Sequence, residues 1–255
     1  MLNGRHALVT GGGSGIGLAI ARALSEAGAA VTIAGRDRAR LDASACRLVN
    51  CAVAVADVTR EDDCTAMIAA AQARHGPLDI VVANAGAAES APFARIDRAH
   101  WQRMIDVNLT GAFLTTRAAL ADLTRDGAAD NGRRVVFVAS TAALKGYAYT
   151  AAYCAAKHGV LGLMRALSTE LVATGITVNA VCPGFTDTPL LAGSVAAITA
   201  KTGRAADETR QKLAGDNAHH RLITPEEVAA TVLWLCSAQA SSINGQAIAI
   251  AGGQV

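Results

Sequence analysis

The sequence TGGGSGIG, residues 10–17, separates two segments whose apolar residues follow different periods. The segment before it, His6–Thr10, is almost continuously apolar, which is typical of a strand buried on both faces of a sheet. The segment after it places Ile16, Ile20 and Leu24 on one face of a helix. The glycine-rich stretch is therefore predicted to be the tight turn of a strand–turn–helix unit.

The glycines of this turn let the backbone bend sharply and approach a ligand without interference from Cβ atoms. The following helix begins with N–H groups that have no intrahelical acceptor, at the positive end of the helix dipole. Together these features favour binding of a pyrophosphate group. The sequence lacks the Gly-Lys-Ser/Thr of a P-loop, so a P-loop nucleotidase is not expected.

Short apolar segments alternate with longer segments rich in Ala and Leu. The short segments include seven predicted strands: His6–Thr10, Ala30–Ala34, Cys51–Ala56, Ile80–Ala83, Val135–Ser140, Thr177–Val181 and Ala247–Ala251. This alternation predicts a doubly wound, Rossmann-like α/β fold with a parallel seven-stranded sheet and helices on both faces. No linker or repeat interrupts it, so residues 1–255 are predicted to form a single domain.

One long segment, residues 189–222, departs from this alternation. It contains three glycines and two weakly amphipathic pieces. A segment of this length beside a compact sheet is commonly a substrate-covering lid. We therefore predict a lid here, with a pair of packing helices as the alternative.

The composition excludes several classes of protein. Of the 255 residues, 52% are hydrophobic and 17% are charged, which excludes a disordered chain. The net charge of +2 gives no broad attraction to nucleic acid or to acidic lipid. No apolar segment approaches the ~20 residues of a membrane-spanning helix. Neither a nucleic-acid partner nor a membrane partner is expected.

The six cysteines show no spacing typical of a metal site or of a disulfide framework. The first residues lack the pattern of a secretory signal peptide. We therefore expect reduced thiols, no metal site and a cytoplasmic protein.

The end of the second predicted strand bears on the choice of dinucleotide. In doubly wound folds that bind NAD, an acidic residue here usually contacts the ribose 2′-hydroxyl. Gly35 occupies that position, and Arg36 follows it with a guanidinium that can bind a 2′-phosphate. Asp37 is predicted to cap the next helix. The sequence therefore favours NADP(H), with NAD(H) as the alternative.

Tyr153 and Lys157 are one helical turn apart, so they are predicted to share a helix face. An ammonium beside a phenol favours the phenolate and is expected to lower the pKa of the tyrosine. The phenol could then act as a general acid toward a carbonyl or as a general base toward an alcohol. Ser140 ends the fifth predicted strand, at the edge where such sheets bind ligands. Asn108 is predicted to hold water or backbone near Lys157.

These residues occur in an order that resembles the short-chain dehydrogenase/reductase family, over essentially the whole chain. The motifs are the TGxxxGxG turn at 10–17, Asp57-Val58, Asn84-Ala85-Gly86, Asn108, Ser140, Tyr153-x-x-x-Lys157, Pro183-Gly184 and Thr188. The resemblance implies hydride transfer between a nicotinamide and the substrate carbon, while Tyr153 exchanges the proton. Ser140, Lys157 and Asn108 would be the other catalytic residues, with Asn108 completing a proton relay through water.

The resemblance also implies a set of cofactor-binding residues. Asp57 would bond the adenine amino group with Val58 beside the ring, and Lys157 would bind the nicotinamide ribose. The whole set is Gly11, Ser14, Gly15, Ile16, Gly17, Arg36, Asp57, Val58, Asn84, Gly86, Tyr153, Lys157, Pro183, Gly184, Thr186 and Thr188.

The substrate pocket is expected to be largely apolar, with Leu144, Tyr147, Tyr149, Leu190 and Leu191 as its candidate residues. The chain is also similar to the 3-oxoacyl-thioester and polyketide ketoreductase branch, chiefly in residues 175–185. This similarity implies a small-molecule carbonyl or alcohol substrate that could be linked to CoA or to a carrier protein. Lys145 and the pair Arg133-Arg134 could contact such a carrier, or could be solvated charges.

The sequence is also compatible with two other functions. One is an NAD-dependent enzyme for a free cyclic or aromatic alcohol or ketone. The other is a dinucleotide-sensing regulator without catalysis, although such a protein would need no proton donor. Relatives are usually tetramers, so the resemblance implies a homotetramer or a homodimer.

Overall fold

The seven predicted strands form one parallel sheet in the computed structural model, which describes residues 1–125 and 132–255. The strands are β1 His6–Thr10, β2 Ala30–Gly35, β3 Cys51–Val55, β4 Ile80–Ala83, β5 Arg134–Val138, β6 Thr177–Pro183 and β7 Ala247–Ile250. Their order in the sheet is β3-β2-β1-β4-β5-β6-β7. The predicted fold class is confirmed.

The helices connect successive strands. They are α1 Gly15–Glu26, α2 Arg38–Ala45, α3 Glu61–His75, α4 Arg98–Ile105, α5 Gly111–Ala118, α6 Leu120–Thr124, α7 Ala151–Glu170, α8 Pro189–Thr202, α9 Ala206–Gly215 and α10 Pro225–Leu235. A short π-helical segment, Asp106–Thr110, joins α4 to α5. The helix α10 begins with the capping box formed by Thr224 and Glu227, which satisfies amides that the helix itself cannot.

Alternate strand residues face two different layers of helices. In β5, Val135 and Phe137 pack into a core with α3, α5 and α7, whereas Val136 and Val138 pack into a core with α1, α2 and α10. Both faces of the sheet are therefore covered. This explains why the strands are apolar at nearly every position instead of at every second one.

The site is positioned by the point where the strand order reverses. The strand β1 pairs with β2 on one side and with β4 on the other. The connections that leave β1 and β4 run in opposite directions. A crevice therefore opens between these connections at the carboxyl ends of the two strands. The glycine turn lies at this edge after β1, and Ser140 lies there after β5.

The pair Arg133-Arg134 lies at the opposite edge of the sheet from Ser140, because β5 begins at Arg134. Both side chains are buried. The expectation that they are solvated charges or contacts for a carrier at the site is therefore wrong. The short apolar segment that follows the two arginines predicts a strand, but it does not show that their side chains are buried where that strand begins.

No helix in the described part of the chain has both the length and the apolar character needed to cross a membrane. Residues 189–222 contain α8 and α9, and the role of this segment as a lid stays a prediction.

Candidate active site

The glycine-rich turn between β1 and α1 is shaped for the close approach of another group. Gly11 and Gly15 adopt left-handed backbone conformations. A Cβ atom at Gly17 would collide with the Gly11 carbonyl oxygen and with the Asn84 side chain. The Ser14 side chain does not cap α1, so the first amides of this helix are left for an external acceptor. The turn therefore fits the pyrophosphate of a dinucleotide.

Thr10 and Asn84 tie the turn to the end of β4. The Thr10 hydroxyl oxygen accepts hydrogen bonds from the amides of Asn84 (3.0 Å) and Ala85 (3.1 Å). In return, Asn84 Nδ2 donates to the Thr10 carbonyl oxygen at 2.8 Å. Asn84 thus fixes the two loops on either side of the crevice in one arrangement. Sequence reasoning included Thr10 in the motif but missed this role.

The ends of β2 and β3 bring Arg36 beside Asp57. Arg36 Nη1 lies 4.0 Å from Asp57 Oδ2, and the arginine side chain is 79% exposed, so it is free to move toward a ligand. Burial alone would raise the pKa of Asp57, but hydrogen bonds from Thr59 and the nearby arginine charges hold it below its usual value. Asp37 accepts from the Arg40 amide (3.0 Å) and caps α2, as predicted.

Val58 follows Asp57 but turns its side chain into the protein. It is buried in a small cluster with Cys64 and Leu114. A Cβ atom at Gly111 would lie 2.7 Å from Val58 Cγ2, so α5 packs directly on this side chain. The side chain is thus held by packing, and the Val58 backbone is the part that a ligand could contact.

Ser140, Tyr153 and Lys157 lie together at the carboxyl edge of the sheet. Ser140 follows β5, and its Oγ accepts a hydrogen bond from the Ala142 amide at 3.1 Å. Tyr153 lies in the first turn of α7, where the Ser140 hydroxyl is close enough to act on its phenol. Lys157 follows one turn later, with Nζ 5.8 Å from the centroid of the Tyr153 ring. The lysine donates to the Val138 carbonyl oxygen at 2.9 Å.

Burial shifts both ionisable groups of this pair toward their neutral forms. It raises the pKa of Tyr153 to about 12, with Ser140 opposing the shift, and lowers the pKa of Lys157 to about 8. The expectation of a lowered pKa for Tyr153 is therefore wrong. Loss of water outweighs the attraction between the two groups, since the ammonium is bonded to Val138 instead of to the phenol.

Asn108 is buried in the π-helical segment Asp106–Thr110. Its Nδ2 donates to the carbonyl oxygens of Ala87 (2.9 Å) and Met104 (3.0 Å), and its Oδ1 accepts from the Ala87 amide at 3.3 Å. A Cβ atom at Gly86 would lie 2.8 Å from Asn108 Oδ1 and 3.7 Å from Lys157 Nζ. Asn108 therefore holds the loop after β4 against the lysine, and the glycine makes this approach possible.

The segment after β6 reaches back to the glycine turn. Thr188 accepts a hydrogen bond from the Leu191 amide (3.2 Å) and caps α8. A Cβ atom at Gly15 would lie 3.2 Å from Thr188 Cγ2. Thr186 is buried and donates to the Gly184 carbonyl oxygen at 2.9 Å. The residues from Pro183 to Thr188 thus bridge the region of Ser140 and the turn that fits a pyrophosphate.

Comparison with known proteins agrees with this geometry. The sequence model described as short chain dehydrogenase matches residues 5–199. The chain belongs to the short-chain dehydrogenase family. It is therefore an oxidoreductase that acts on CH–OH and C=O groups.

Three similar proteins illustrate the range of the family. The dehydrogenase is 41% identical to cis-4-hydroxycyclohexanecarboxylate dehydrogenase of Sinomonas cyclohexanicum, over 98% of this chain and 96% of that protein. A variant of actinorhodin polyketide ketoreductase solved with NADPH is 34% identical, with a TM-score of 0.93 over 100% and 99% of the two chains. The 3-ketoacyl-(acyl-carrier-protein) reductase of Brucella melitensis, solved with NADH, is 32% identical, with a TM-score of 0.89 over the same shares.

The substrate candidates of this dehydrogenase are not gathered in one place. Tyr147 is partly buried, and its hydroxyl is hydrogen bonded to Thr141 next to Ser140. Leu144 packs against one of the main cores, and Leu191 is buried at the start of α8. The side chains of Tyr149 and Leu190 are exposed. Leu190 and Leu191 are adjacent on α8 and therefore face different directions, with Leu191 buried and Leu190 exposed. In the loop that holds Tyr147 and Tyr149, sequence distance from Ser140 does not fix the direction of a side chain.

Two residues near the site were missed by sequence reasoning. Cys182, in β6, is buried beside Ser140 and Lys157, and burial raises the pKa of its thiol to about 11. Asn217 is buried, and its amide bonds the backbone of Phe185 and the Arg221 carbonyl oxygen. No signal in the sequence distinguishes this asparagine from other loop residues.

Among residues 1–125 and 132–255, no group of three or more His, Cys, Asp or Glu side chains could hold a metal ion.

Proposed function

We propose that this dehydrogenase is an NADP(H)-dependent ketoreductase, interconverting a ketone and a secondary alcohol with Tyr153 as the general acid and base. The observation that supports this most strongly is a partly buried, protonated phenol held beside Ser140 and Lys157. It lies at the same sheet edge as a turn that fits a pyrophosphate. A dinucleotide-sensing regulator would need the turn but not the proton donor.

The chemical work is divided among three side chains. The Ser140 hydroxyl donates to the carbonyl oxygen of the substrate and orients it toward Tyr153. A bound reduced nicotinamide dinucleotide supplies the hydride. As negative charge develops on the carbonyl oxygen, Tyr153 transfers its phenolic proton to that oxygen, and the alcohol is formed. The Lys157 ammonium stabilises the phenolate that remains, since an opposite charge nearby favours the ionised form.

The preference for NADP(H) is supported by the end of β2. Gly35 stands at the position of the usual acidic residue, and the exposed Arg36 can reach a 2′-phosphate. Two neighbouring arginines have carboxylate partners of their own: Arg38 lies 2.8 Å from Asp42, and Arg40 pairs with Asp37. Arg36 has the longest of these contacts, 4.0 Å from Nη1 to Asp57 Oδ2, and is the arginine that we assign to the phosphate.

We propose a free ketone as the substrate in preference to a CoA- or carrier-linked one. The burial of the Arg133-Arg134 pair removes two of the three cationic contacts that the sequence suggests for a carrier. The 41% identity to a dehydrogenase of a hydroxycyclohexane derivative supports a cyclic alcohol or ketone. Resemblance to ketoreductases keeps a 3-oxoacyl thioester as the second candidate.

We propose that residues 189–222 form a lid, within one catalytic domain covering residues 1–255. Lys201 Nζ, near the end of α8, donates to the Ser90 carbonyl oxygen in the loop after β4 at 3.0 Å. Asp187, just before α8, pairs with Arg210 of α9 at 2.6 Å. The first contact joins the segment to the loop on the far side of the crevice, and the second fixes α9 to the chain that precedes α8.

Initial rates with NADPH and with NADH, over cyclic ketones and a 3-oxoacyl thioester, test the proposal. We expect turnover of a cyclic ketone with NADPH favoured. Replacing Arg36 by Ala should raise the KM for NADPH about tenfold or more, through loss of a charged contact to phosphate, and leave the KM for NADH nearly unchanged. The Arg38→Ala variant is the matched control, because Arg38 is paired with Asp42. Equal KM values for the two cofactors before and after the Arg36 change would overturn the assignment.

A further inference from the structure

The segment that follows β7 is held by two loops of the substrate side. Tyr147 donates its hydroxyl proton to Gln254 Oε1 at 3.0 Å. A Cβ atom at Gly252 would lie 2.6 Å from Cδ2 of His219, so the imidazole packs directly on this glycine. Residues 252–254 therefore lie between the loop that follows Ser140 and the loop that follows α9.

Tyr147 is fixed from several directions at once. The Gln254 oxygen can only accept, so the second bond of the phenol, to Thr141 Oγ1 at 2.8 Å, has the threonine as donor. The ring meets Phe185 edge-on, with 5.9 Å between the ring centroids. Lys145 Nζ lies 5.1 Å from the centroid of the same ring. Burial raises the pKa of Tyr147, which keeps the phenol protonated for these bonds.

These contacts place the ring between the two parts of the chain assigned to the chemistry. Thr141 is the residue after Ser140, and Phe185 is the residue after Gly184. Tyr147 is also close enough to Tyr153 to contribute to its raised pKa. The hydroxyl bond to Gln254 comes from outside both of these loops. Without that bond, the hydroxyl would keep its hydrogen bond to Thr141, and the ring its contacts with Phe185 and Lys145.

We propose that Tyr147 is a specificity-determining residue that limits the size of the group beside the carbonyl carbon. We further propose that Gln254 is its positioning residue. The inference rests on the proposed function, because it takes the ketone to bind beside Ser140 and Tyr153. It adds that the segment after β7 forms one wall of the substrate pocket through this hydrogen bond.

The test compares two ketones, cyclohexanone and the larger bicyclic 2-decalone, in the full-length holoenzyme. Gln254→Leu and Tyr147→Phe each remove one partner of the bond. Each should raise the ratio of kcat/KM for decalone to that for cyclohexanone about fivefold or more, since a freed ring no longer excludes the second ring of the substrate. Both changes should act chiefly through the KM for decalone, because neither replaces Ser140, Tyr153 or Lys157. The double variant should equal Tyr147→Phe, since that change alone already removes the bond to Gln254.

The Gln239→Leu variant is the matched control, because this glutamine is exposed. A ratio unchanged in Gln254→Leu, an equal loss for both ketones, or fully additive effects would overturn the inference. Calorimetry on the NADPH complex of Tyr153→Phe, with and without Gln254→Leu, measures the ratio of the affinities for the two ketones without turnover. If the binding ratio shifts but no ketone is reduced, the proposed function fails and the inference stands. If both ketones are reduced and the ratio is constant, the inference fails alone.

Discussion

Tyr153 and Lys157 show how one buried environment shifts a phenol and an ammonium toward their neutral forms. Removal from water favours the neutral form of each side chain, so the phenol keeps its proton to a pKa of about 12 and the ammonium loses its proton at a pKa of about 8. At neutral pH the phenol therefore keeps its proton, as the proposed proton donor must. The lysine is still mainly charged and can stabilise the phenolate once it forms.

The buried ammonium makes stability depend on pH in a defined window. Because the folded pKa of Lys157 lies below its unfolded value of 10.5, the unfolded chain binds more protons between pH 8 and 10.5, and folding gains stability as pH rises there. The free energy of unfolding of the protein, minus that of Lys157→Met, should therefore increase by about 3 kcal/mol across this window. Urea unfolding at several pH values measures it. Lys212→Met is the control, because this lysine is exposed. If the difference in free energy of unfolding did not change with pH for either variant, the lowered pKa of Lys157 would be refuted.

The grouping of the candidate catalytic residues could be predicted, but their acidity could not. The four-residue spacing of Tyr153 and Lys157 fixes a shared helix face, and the end of an apolar strand fixes Ser140. The direction of a pKa shift instead depends on burial and on the partner that the ammonium chooses. The bond from Lys157 to Val138 belongs to the tertiary structure, so sequence reasoning gave the tyrosine a shift of the wrong sign.

At the level of elements, the connection from β1 to α1 depends on a close approach of backbone to backbone. Gly17→Ala would force its Cβ against the Gly11 carbonyl oxygen, so the turn must open. We expect the dissociation constant for NADPH to rise about tenfold or more, because the amides and the helix end lose their alignment. Fluorescence titration measures this.

Gly193→Ala is the control for this variant. Gly193 lies in α8, and no described heavy atom beyond its chain neighbours and the backbone of its own helix lies within 4 Å of the position that a Cβ atom would take there. Alanine there should stabilise the protein by about 0.5–1 kcal/mol through backbone entropy, without changing NADPH affinity. Similar affinity in Gly17→Ala and Gly193→Ala would mean that the turn does not hold the cofactor.

The strands, which have continuous apolar sequence, could be predicted. The segments whose conformation depends on tertiary contacts could not. Seven strands followed from continuous apolar segments, although β5 ends two residues before Ser140 and β6 extends to Pro183. The π-helical segment around Asn108 has no proline to mark it. It accompanies the bonds from Asn108 to the backbone of Ala87 and Met104, which only the folded loop after β4 provides.

For the whole molecule, we propose self-association into a homotetramer or a homodimer. Trp101 on α4 is 40% exposed and Phe113 on α5 is 42% exposed, and β7 pairs only with β6 among the described strands. Exposed aromatic side chains and an unpaired sheet edge are favourable interface surfaces. Sedimentation velocity at micromolar concentration should show a species of two or four times the 25.9 kDa chain mass. A single species at the chain mass would contradict the assembly.

The role of Tyr153 as proton donor is tested most directly by single-turnover reduction of a cyclic ketone by the NADPH complex of Tyr153→Phe. We predict that the rate of the chemical step falls by about 10²-fold or more, because the general acid is lost. NADPH affinity should remain within about twofold, since the glycine turn and Arg36 are unchanged. An undiminished rate with the cofactor fully bound would contradict the assignment of Tyr153 as the proton donor.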